Sequence, residues 1–428
     1  MTLLIISHMH DVMLHLVKNN PSITKVYLAN LSLADKIYYE YLFKKHKIAY
    51  ESVTYQRYSK ADRSGVYDRV RPLLTQSIEY LRLQPNSDMS KMLEHYANLY
   101  LNFETFFQKY HVDVTCTWNG QRIFDLIIND HAKRLKKRTL FYEMGLFRPS
   151  TLTMDAKGVN IHNSVVRDAD FYRDYQLSQA SQVPTKVTTP SSSAKFYKLY
   201  KIFDHLLARL QYKSYKRFDN LYKVSFLSFS TQEPTVTLSH FDKEYLNIFC
   251  PFQVSHDTQV LLNSPHIKSM EAFLDLIEKT STALIQQNRK VRFYIKAHPL
   301  EKRAVHTKAD ENIFVLDAKV SSIEAVKMSN LTLTINSTVG LEAVSHHKPC
   351  ITLAETFYAI RPIAFYSTPK GLVDMLDIAI KEHDVKLQQN FIAYLKDVYQ
   401  LPYNPFEILS FSAEAHHQKF RELVDVKS

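Results

Sequence analysis

The sequence predicts an α/β protein built from two doubly wound, Rossmann-like parallel sheets. Three observations carry that prediction. Apolar strand-like runs alternate with helical stretches from the first residues onward. The alternation restarts in the second half, after a stretch rich in Ser, Thr and Pro (QASQVPTKVTTPSSSA, Gln179–Ala194). Two later phrases, VRFYIKAHP (Val291–Pro299) and INSTVGLEAVSHHKPCITL (Ile335–Leu353), begin as β-rich runs and end in polar residues. A strand whose carboxyl end opens into hydroxyls and a helix start is a ready anion site at the edge of a parallel sheet.

The elements follow in order. Leu3–Ser7, Lys25–Ala29 and Ile48–Val53 read as strands, with helical stretches at Met13–Lys18 and Leu33–Lys45. Residues Ala61 to Tyr110 read as helices. Strand Val112–Trp118 leads to Asn119-Gly120, helix Ile123–Lys137 and strand Thr139–Tyr142, then Glu143-Met144-Gly145. Past the Ser-Thr-Pro stretch, taken as a mobile loop at about 179–194, Lys195–Phe218 is helical in period, basic and aromatic. Its apolar stripe is expected to pack in the core, while its cations keep contact with an anionic membrane open. The second half restarts with strands at Val224–Phe229, Asn247–Gln253, Val291–Ala297, Ile313–Leu316, Leu331–Ile335 and Ile351–Leu353. Helices are expected at Ser269–Gln287, Ile323–Met328 and Val339–His346. These elements divide into domains 1–220 and 221–385 and a helical tail, 386–428. Two α/β domains with ligand phrases in the second describe a GT-B-like architecture facing a central cleft.

Composition bounds the function. At 428 residues the chain is too long for one ordinary core. The three cysteines, Cys116, Cys250 and Cys350, sit in apolar runs and read as buried free thiols in a reducing compartment. The N-terminal apolar run is short and lacks a basic leader, so it reads as a first strand. No run is long enough to span a bilayer, and a cytoplasmic location is expected. The net charge of +11 points to acidic partners. No nucleic-acid motif accompanies it, and the 27 tyrosines and 25 phenylalanines read as core. With only 6 glycines, each of Gly120, Gly145, Gly158 and Gly340 should mark a turn or a close approach.

The chemistry of the two phrases is that of a phosphate grip. His298 sits at a strand end, placed to bond or protonate a phosphate. Ser337, Thr338 and the amides of Val339 and Gly340 are placed to cradle it. Lys296, two residues before His298, shares its face in an extended strand. Pro299 ends the strand in a turn. Glu342 lies near a prospective ribose, or serves as an acid in the first turn of its helix. His8, His10 and Asp11 follow the first strand without a zinc spacing, so no metal is expected. His346 and His347 read as charges at a helix end.

Further motifs carry a family resemblance. FYEMGLFRPSTLTMDAKGVNIHNS (Phe141–Ser164), TWNGQR (Thr117–Arg122), PFQVSHDTQ (Pro251–Gln259), IKAHP and STVGLEAVSHHKPCI occur in that order. The set, over residues 112 to 360, resembles bacterial capsule polysaccharide biosynthesis proteins. It is similar to the retaining β-Kdo transferases that use CMP-Kdo. The resemblance implies Asp257 as the nucleophile of a covalent Kdo–aspartyl intermediate. Retention calls for a second carboxylate as acid/base, about 5 Å from the first. Glu143 is the candidate, with Asp155 its rival; for Asp155 a turn role beside Gly158 is equally open. For Asp257 a helix N-cap role stays open, and for Glu143 an ion pair with Arg148. Arg122, Arg148, Asn160 and Ser164 are candidate binders of the Kdo carboxylate or the acceptor. The matching blocks add Asn119, Gly120, Gly145 and Gln253. The implied activity is transfer of Kdo from CMP-Kdo to a lipid-linked or glycan acceptor on the inner face of the cytoplasmic membrane, with no cofactor. A CMP- or CDP-dependent sialyl- or polyol-phosphate transferase and a non-catalytic capsule assembly or export protein stand as alternatives.

Overall fold

A computed structural model describes the chain except for residues 7–9, 82–88, 148–149, 176–198, 201, 208–234, 255–257, 300–310, 404–412 and 426–428. The expected loop at 179–194, strand Val224–Phe229, His8, Arg148 and Asp257 lie outside the described residues. So does most of the basic segment Lys195–Phe218. The chain forms two compact units. The first comprises Met1–Ser164, Gln182–Val224 and Tyr399–Ser428; the second, Val165–Ser181 and Ser225–Val398.

The first unit is built on a seven-stranded sheet: β1 (Thr2–Ile6), β2 (Lys25–Ala29), β3 (Tyr50–Ser52), β4 (Val114–Thr117), β5 (Arg138–Met144), β6 (Thr151–Asp155) and β13 (Gln400–Pro402). Their order is β13-β6-β5-β4-β1-β2-β3. Strands β5, β4, β1, β2 and β3 are mutually parallel, and β6 runs antiparallel to β5 and β13. All four residues of β4 are buried, as are Leu3 to Ile6 of β1. Burial on both faces is why β1 reads as an unbroken apolar run. Helix Leu33–Lys45 starts where Ser32 Oγ accepts from the Asp35 amide at 3.1 Å. It ends with Lys44 and Lys45, placed on the negative end of its dipole.

The second unit is a six-stranded parallel sheet ordered β12-β11-β10-β7-β8-β9. Its strands are β7 (Leu246–Pro251), β8 (Val291–Lys296), β9 (Ile313–Val315), β10 (Leu331–Thr334), β11 (Cys350–Thr352) and β12 (Phe365–Tyr366). Ile248, Phe293, Ile295, Leu331, Leu333 and Ile351 are fully buried in one core with Phe273 and Ile277 of helix Met270–Gln286. The three cysteines are buried and free, as expected.

The α/β class and the two doubly wound sheets stand as read from the sequence. Four features differ. Strands β6, β12 and β13 were not anticipated; β12 and β13 are only two and three residues long, and β6 lies within the stretch read as a motif block. The tail 386–428 is not a separate helical body. Val385–Tyr394 packs on Ala169–Arg173 in the second unit, whereas β13 and helix Glu414–Asp425 complete the first. Residues 165–175 belong to the second unit, where the Asn390 amide donates to the Tyr172 carbonyl at 2.8 Å. Finally, the basic segment, where described, is divided: Tyr200 is buried in the first unit's core with Leu207 packed against it, whereas Leu199, Ile202 and Leu206 are 62%, 67% and 53% exposed. Among the described residues, no helix is long and apolar enough to cross a membrane.

Candidate functional site

In an open α/β sheet, ligands bind beyond the carboxyl ends of the strands where the strand order reverses. In the second unit the chain runs β7, β8, β9 to one side and then returns to place β10 on the other side of β7. The reversal lies between β7 and β10. Gln253 follows β7, and Asn336 and Ser337 follow β10. Gln253 is 5% exposed. Its Nε2 donates to Asn336 Oδ1 at 3.1 Å, and its Oε1 accepts from the Asn336 amide at 3.4 Å. This reciprocal pair ties the two strand ends together across the reversal.

Helix Thr338–Ser345 begins one residue later. Ser337 is its N-cap, with Oγ accepting from the Val339 amide at 3.2 Å. The Gly340 amide donates to the Ser337 carbonyl at 3.0 Å. The amides expected to cradle a phosphate are therefore held within the turn. The Ser337 and Thr338 side chains remain as the polar face, and Thr338 is exposed. Gly340 also plays a different part from the one expected. A Cβ there would stand 2.4 Å from the hydroxyl of Tyr358, which itself donates to the Ser337 carbonyl. The missing side chain admits Tyr358, not a ligand.

His298 follows β8, the neighbour of β7, and is half-buried; Pro299 is an exposed turn residue. Lys296 is not available to a phosphate in the way its position suggests. It is 6% exposed, and its Nζ donates to the Ala318 carbonyl at 3.1 Å. Burial lowers its pKa, opposed by the charge of Asp317. It ties the end of β8 to the segment after β9. Glu342 is half-buried beyond the first turn of its helix, and burial raises its carboxyl pKa. The first-turn role therefore does not apply. His346 caps the same helix, but burial and then Lys327 lower its pKa, against the cationic role expected there.

The first unit reverses its strand order between β1 and β4. Beyond β4, Asn119 Oδ1 accepts from the Gln121 amide at 3.2 Å. Gly120 turns at φ +78°, and a Cβ would meet the Phe141 ring at 2.8 Å. Arg122 is the N-cap of helix Ile123–Arg134 without capping it through its side chain. Its Nε is buried and has no hydrogen-bond partner among the described residues. An unmet guanidinium donor at a helix start is suited to an anion.

Glu143 lies on β5 opposite Thr153 of β6, half-buried, with Oε1 accepting from the Met144 amide at 3.0 Å. Gly145 follows in a turn so tight that its amide donates to the Thr151 carbonyl at 2.8 Å. Asp155 differs sharply. It is fully buried and accepts from the Lys157 amide (2.7 Å), the Gly158 amide (3.4 Å), the Ser164 amide (2.7 Å), Ser164 Oγ (2.8 Å) and the Tyr399 hydroxyl (2.9 Å). A carboxylate with five donors is a structural knot. That removes Asp155 as rival acid/base, and it gives Ser164 a structural partner in place of a ligand. Asn160, at φ +55°, opens the short 3-10 turn inside this knot. His10 opens helix His10–Val17 after β1. Asp257 lies outside the described residues; helix Thr258–Asn263 begins at the next residue. Sequence reasoning missed Asn336 as the partner of Gln253, although it stands beside Ser337 in the phrase. It also missed Tyr358 and Tyr399, for which no local signal exists.

A family model described as capsule polysaccharide biosynthesis protein matches residues 113–406. The chain belongs to that family. The match covers the carboxyl ends of β4, β5, β7, β8 and β10 and the Asp155 knot. Protein FixF of Sinorhizobium fredii (strain NBRC 101917 / NGR234) is 27% identical over 290 residues, 67% of this chain and 60% of FixF. The alignment thus spans less than two thirds of that relative. The capsule polysaccharide export protein KpsS of Escherichia coli is 25% identical over 63% of this chain and 74% of KpsS. Among solved structures, a β-Kdo 2,4 transferase, KpsC of Thermosulfurimonas dismutans, superposes with a TM-score of 0.37 at 16% identity, covering 72% of this chain and 87% of KpsC. That score is too low to argue from, and the two-sheet architecture rests on the strand order itself.

Proposed function

We propose that this member of the capsule family is a retaining glycosyltransferase that moves Kdo from CMP-Kdo to a lipid-linked or glycan acceptor. The observation that carries the reading is the edge of the second sheet. Gln253 and Asn336 bridge the reversal between β7 and β10, Ser337 and Thr338 stand beside them, and His298 ends the next strand but one from β10. Such a hydrogen-bonding rim suits the ribose and phosphate of a CMP group. The motif order and family membership support Kdo as the sugar.

In this reading the Asp257 carboxylate attacks the anomeric carbon, and CMP departs with the electron pair of the broken C–O bond. His298 donates a hydrogen bond to the departing phosphate. The acceptor hydroxyl then loses its proton to Glu143 as its oxygen displaces Asp257, restoring the original configuration. Arg122, with its unmet Nε, holds the acceptor's anionic group.

The test is direct. Incubation with CMP-Kdo should release CMP and leave a Kdo adduct on Asp257 detectable by intact mass. Asp257→Asn should lower transfer by about a thousandfold or more while CMP still binds. Near-native transfer by Asp257→Asn would exclude the double displacement. Turnover of CMP-sialic acid but not CMP-Kdo would move the chain to a different donor class. CMP binding without release from either donor would favour a non-catalytic assembly role.

A further inference from the structure

Three polar atoms near the carboxyl edge of the first sheet are buried and have no hydrogen-bond partner among the described residues: Arg122 Nε, Ser77 Oγ and Asn30 Oδ1. Buried polar atoms are ordinarily paired, so each calls for an account. The first two stand at one level. Helix Tyr67–Leu81 packs on helix Ile123–Arg134, and two contacts fix how they run. Arg69 and Arg134 both reach Glu104 of helix Met89–Lys109, at 3.3 and 3.5 Å. At the other end, Gln76 Nε2 donates to Gln121 Oε1 at 3.2 Å. The two helices are therefore antiparallel, which sets Ser77 level with Arg122. A helical serine ordinarily donates to the carbonyl one turn back. Ser77, 1% exposed, does not.

Asn30 follows β2 directly. Ser52 Oγ donates to Glu40 Oε1 at 2.6 Å, which leaves it only lone pairs to offer, and Asn30 Nδ2 donates to it at 3.0 Å. This chain of bonds fixes the amide. Its carbonyl is turned away from Ser52 and unmet, on a residue 6% exposed. In the order β5-β4-β1-β2, Glu143 lies near the end of β5, Arg122 beyond β4 and Asn30 beyond β2. The strand ends that lead to Arg122 and Asn30 are two strand spacings apart, about 10 Å. Donors on one side suit an oxyanion, and an acceptor on the other suits a hydroxyl. A sugar acid carries both groups on one residue.

We propose that Arg122 and Ser77 bind the carboxylate of an acidic sugar at the acceptor terminus while Asn30 accepts from one of its hydroxyls, so that Ser77 and Asn30 set the choice of acceptor. Both precede residue 113, where the family match begins, which makes this selection the chain's own. The proposal rests on the transferase reading for the use of the site. Its test needs no sugar donor, so it can fail while CMP release from CMP-Kdo still stands.

The experiment is a titration of the full chain without donor, followed by calorimetry and by the emission of Trp118, the only tryptophan, four residues before Arg122. The probes are the methyl glycoside of Kdo, the same glycoside with its carboxyl reduced to an alcohol, and glycerol 3-phosphate. The acid glycoside should bind, and the reduced one should bind about tenfold more weakly or worse, having lost its charge-assisted pair. Ser77→Ala and Asn30→Ala should each weaken binding by about threefold to tenfold. Ser77→Ala should leave the melting temperature equal or higher, because the hydroxyl it removes has no partner in the free protein; a serine with a structural role would lower it. Equal binding of the acid and reduced glycosides would overturn the proposal, as would wild-type affinity in Ser77→Ala. So would binding of glycerol 3-phosphate in place of the glycoside, which would give Arg122 to a lipid headgroup. If none of the probes binds while CMP-Kdo still releases CMP, the acceptor site is wrong and the donor edge stands.

Discussion

In the first unit the strand order reverses between β1 and β4; in the second it reverses between β10 and β7. Both reversals leave polar residues beyond the strand ends, but the residues differ in kind. The second edge is cross-tied, with the Gln253–Asn336 pair and the Ser337 cap held by Tyr358. The first edge carries formal charge, with Arg122 at a helix start and Glu143 on β5. One topology thus supplies a preorganised hydrogen-bonding rim in one unit and groups able to move protons or bind anions in the other. The difference teaches that the position of a site follows from strand order, while its chemistry follows from a few side chains beyond the strands.

The largest effect that would sharpen this comparison concerns the two carboxylates of the first unit. Glu143→Gln should lower transfer by about 10²–10⁴-fold and cost less stability than a change at Asp155. Asp155→Asn should do the opposite. It places an amide N–H against donors already facing the carboxylate, and should cost about 3 kcal/mol in a denaturant melt, with transfer per folded molecule retained. If Asp155→Asn left stability intact but stopped transfer, the two roles would have to be exchanged.

Acid should strain the first unit next. His131 is buried with Nε2 at 3.1 Å from the Tyr100 carbonyl, and His416 is buried with Nε2 at 2.9 Å from the Pro402 carbonyl. Burial pushes the pKa of each down to about 4. The unfolded chain therefore binds more protons than the folded one between pH 6.5 and about 4. The stability they contribute is complete above 6.5 and falls as the pH drops through that window, by on the order of 3 kcal/mol for each ring. Urea melts from pH 7 to 4 should show this slope, and His131→Gln should flatten it. An unchanged slope in that variant would remove His131 from the account.

The smallest expected effect lies in the second unit. Gln253→Ala unties β7 from β10 and should weaken CMP binding by about fivefold to tenfold, measured by calorimetry. Unaltered affinity would mean that the pair holds the strands without shaping the rim.

Much of this was legible along the chain. The β4, β7, β8 and β10 ends were found because these strands are rich in apolar and β-branched residues, and a cluster of polar residues after such a run marks the edge. Gly120 and Gly145 were found for a similar reason: glycine was scarce and each fell beside a strand end. What escaped was non-local. Tyr399 lies far along the chain from Asp155, and β13 joins β6 from the same distant segment. Tyr358 has no pattern around it that predicts a contact with Ser337.

The sequence by itself determined the alternation of strand and helix, the two doubly wound units, and the order of motifs that marks a capsule polysaccharide biosynthesis protein. These rest on periodicity and on short spacings, which a linear reading preserves. Only the tertiary structure decided that Asp155 is a knot, that Lys296 is tied to Ala318, and that Leu199, Ile202, Phe203 and Leu206 face outward. A helical stripe says that two faces differ. Which face finds a partner depends on what the rest of the chain brings to it, here Asp35 and Tyr38 for Tyr200 and Ser32 for Asp204.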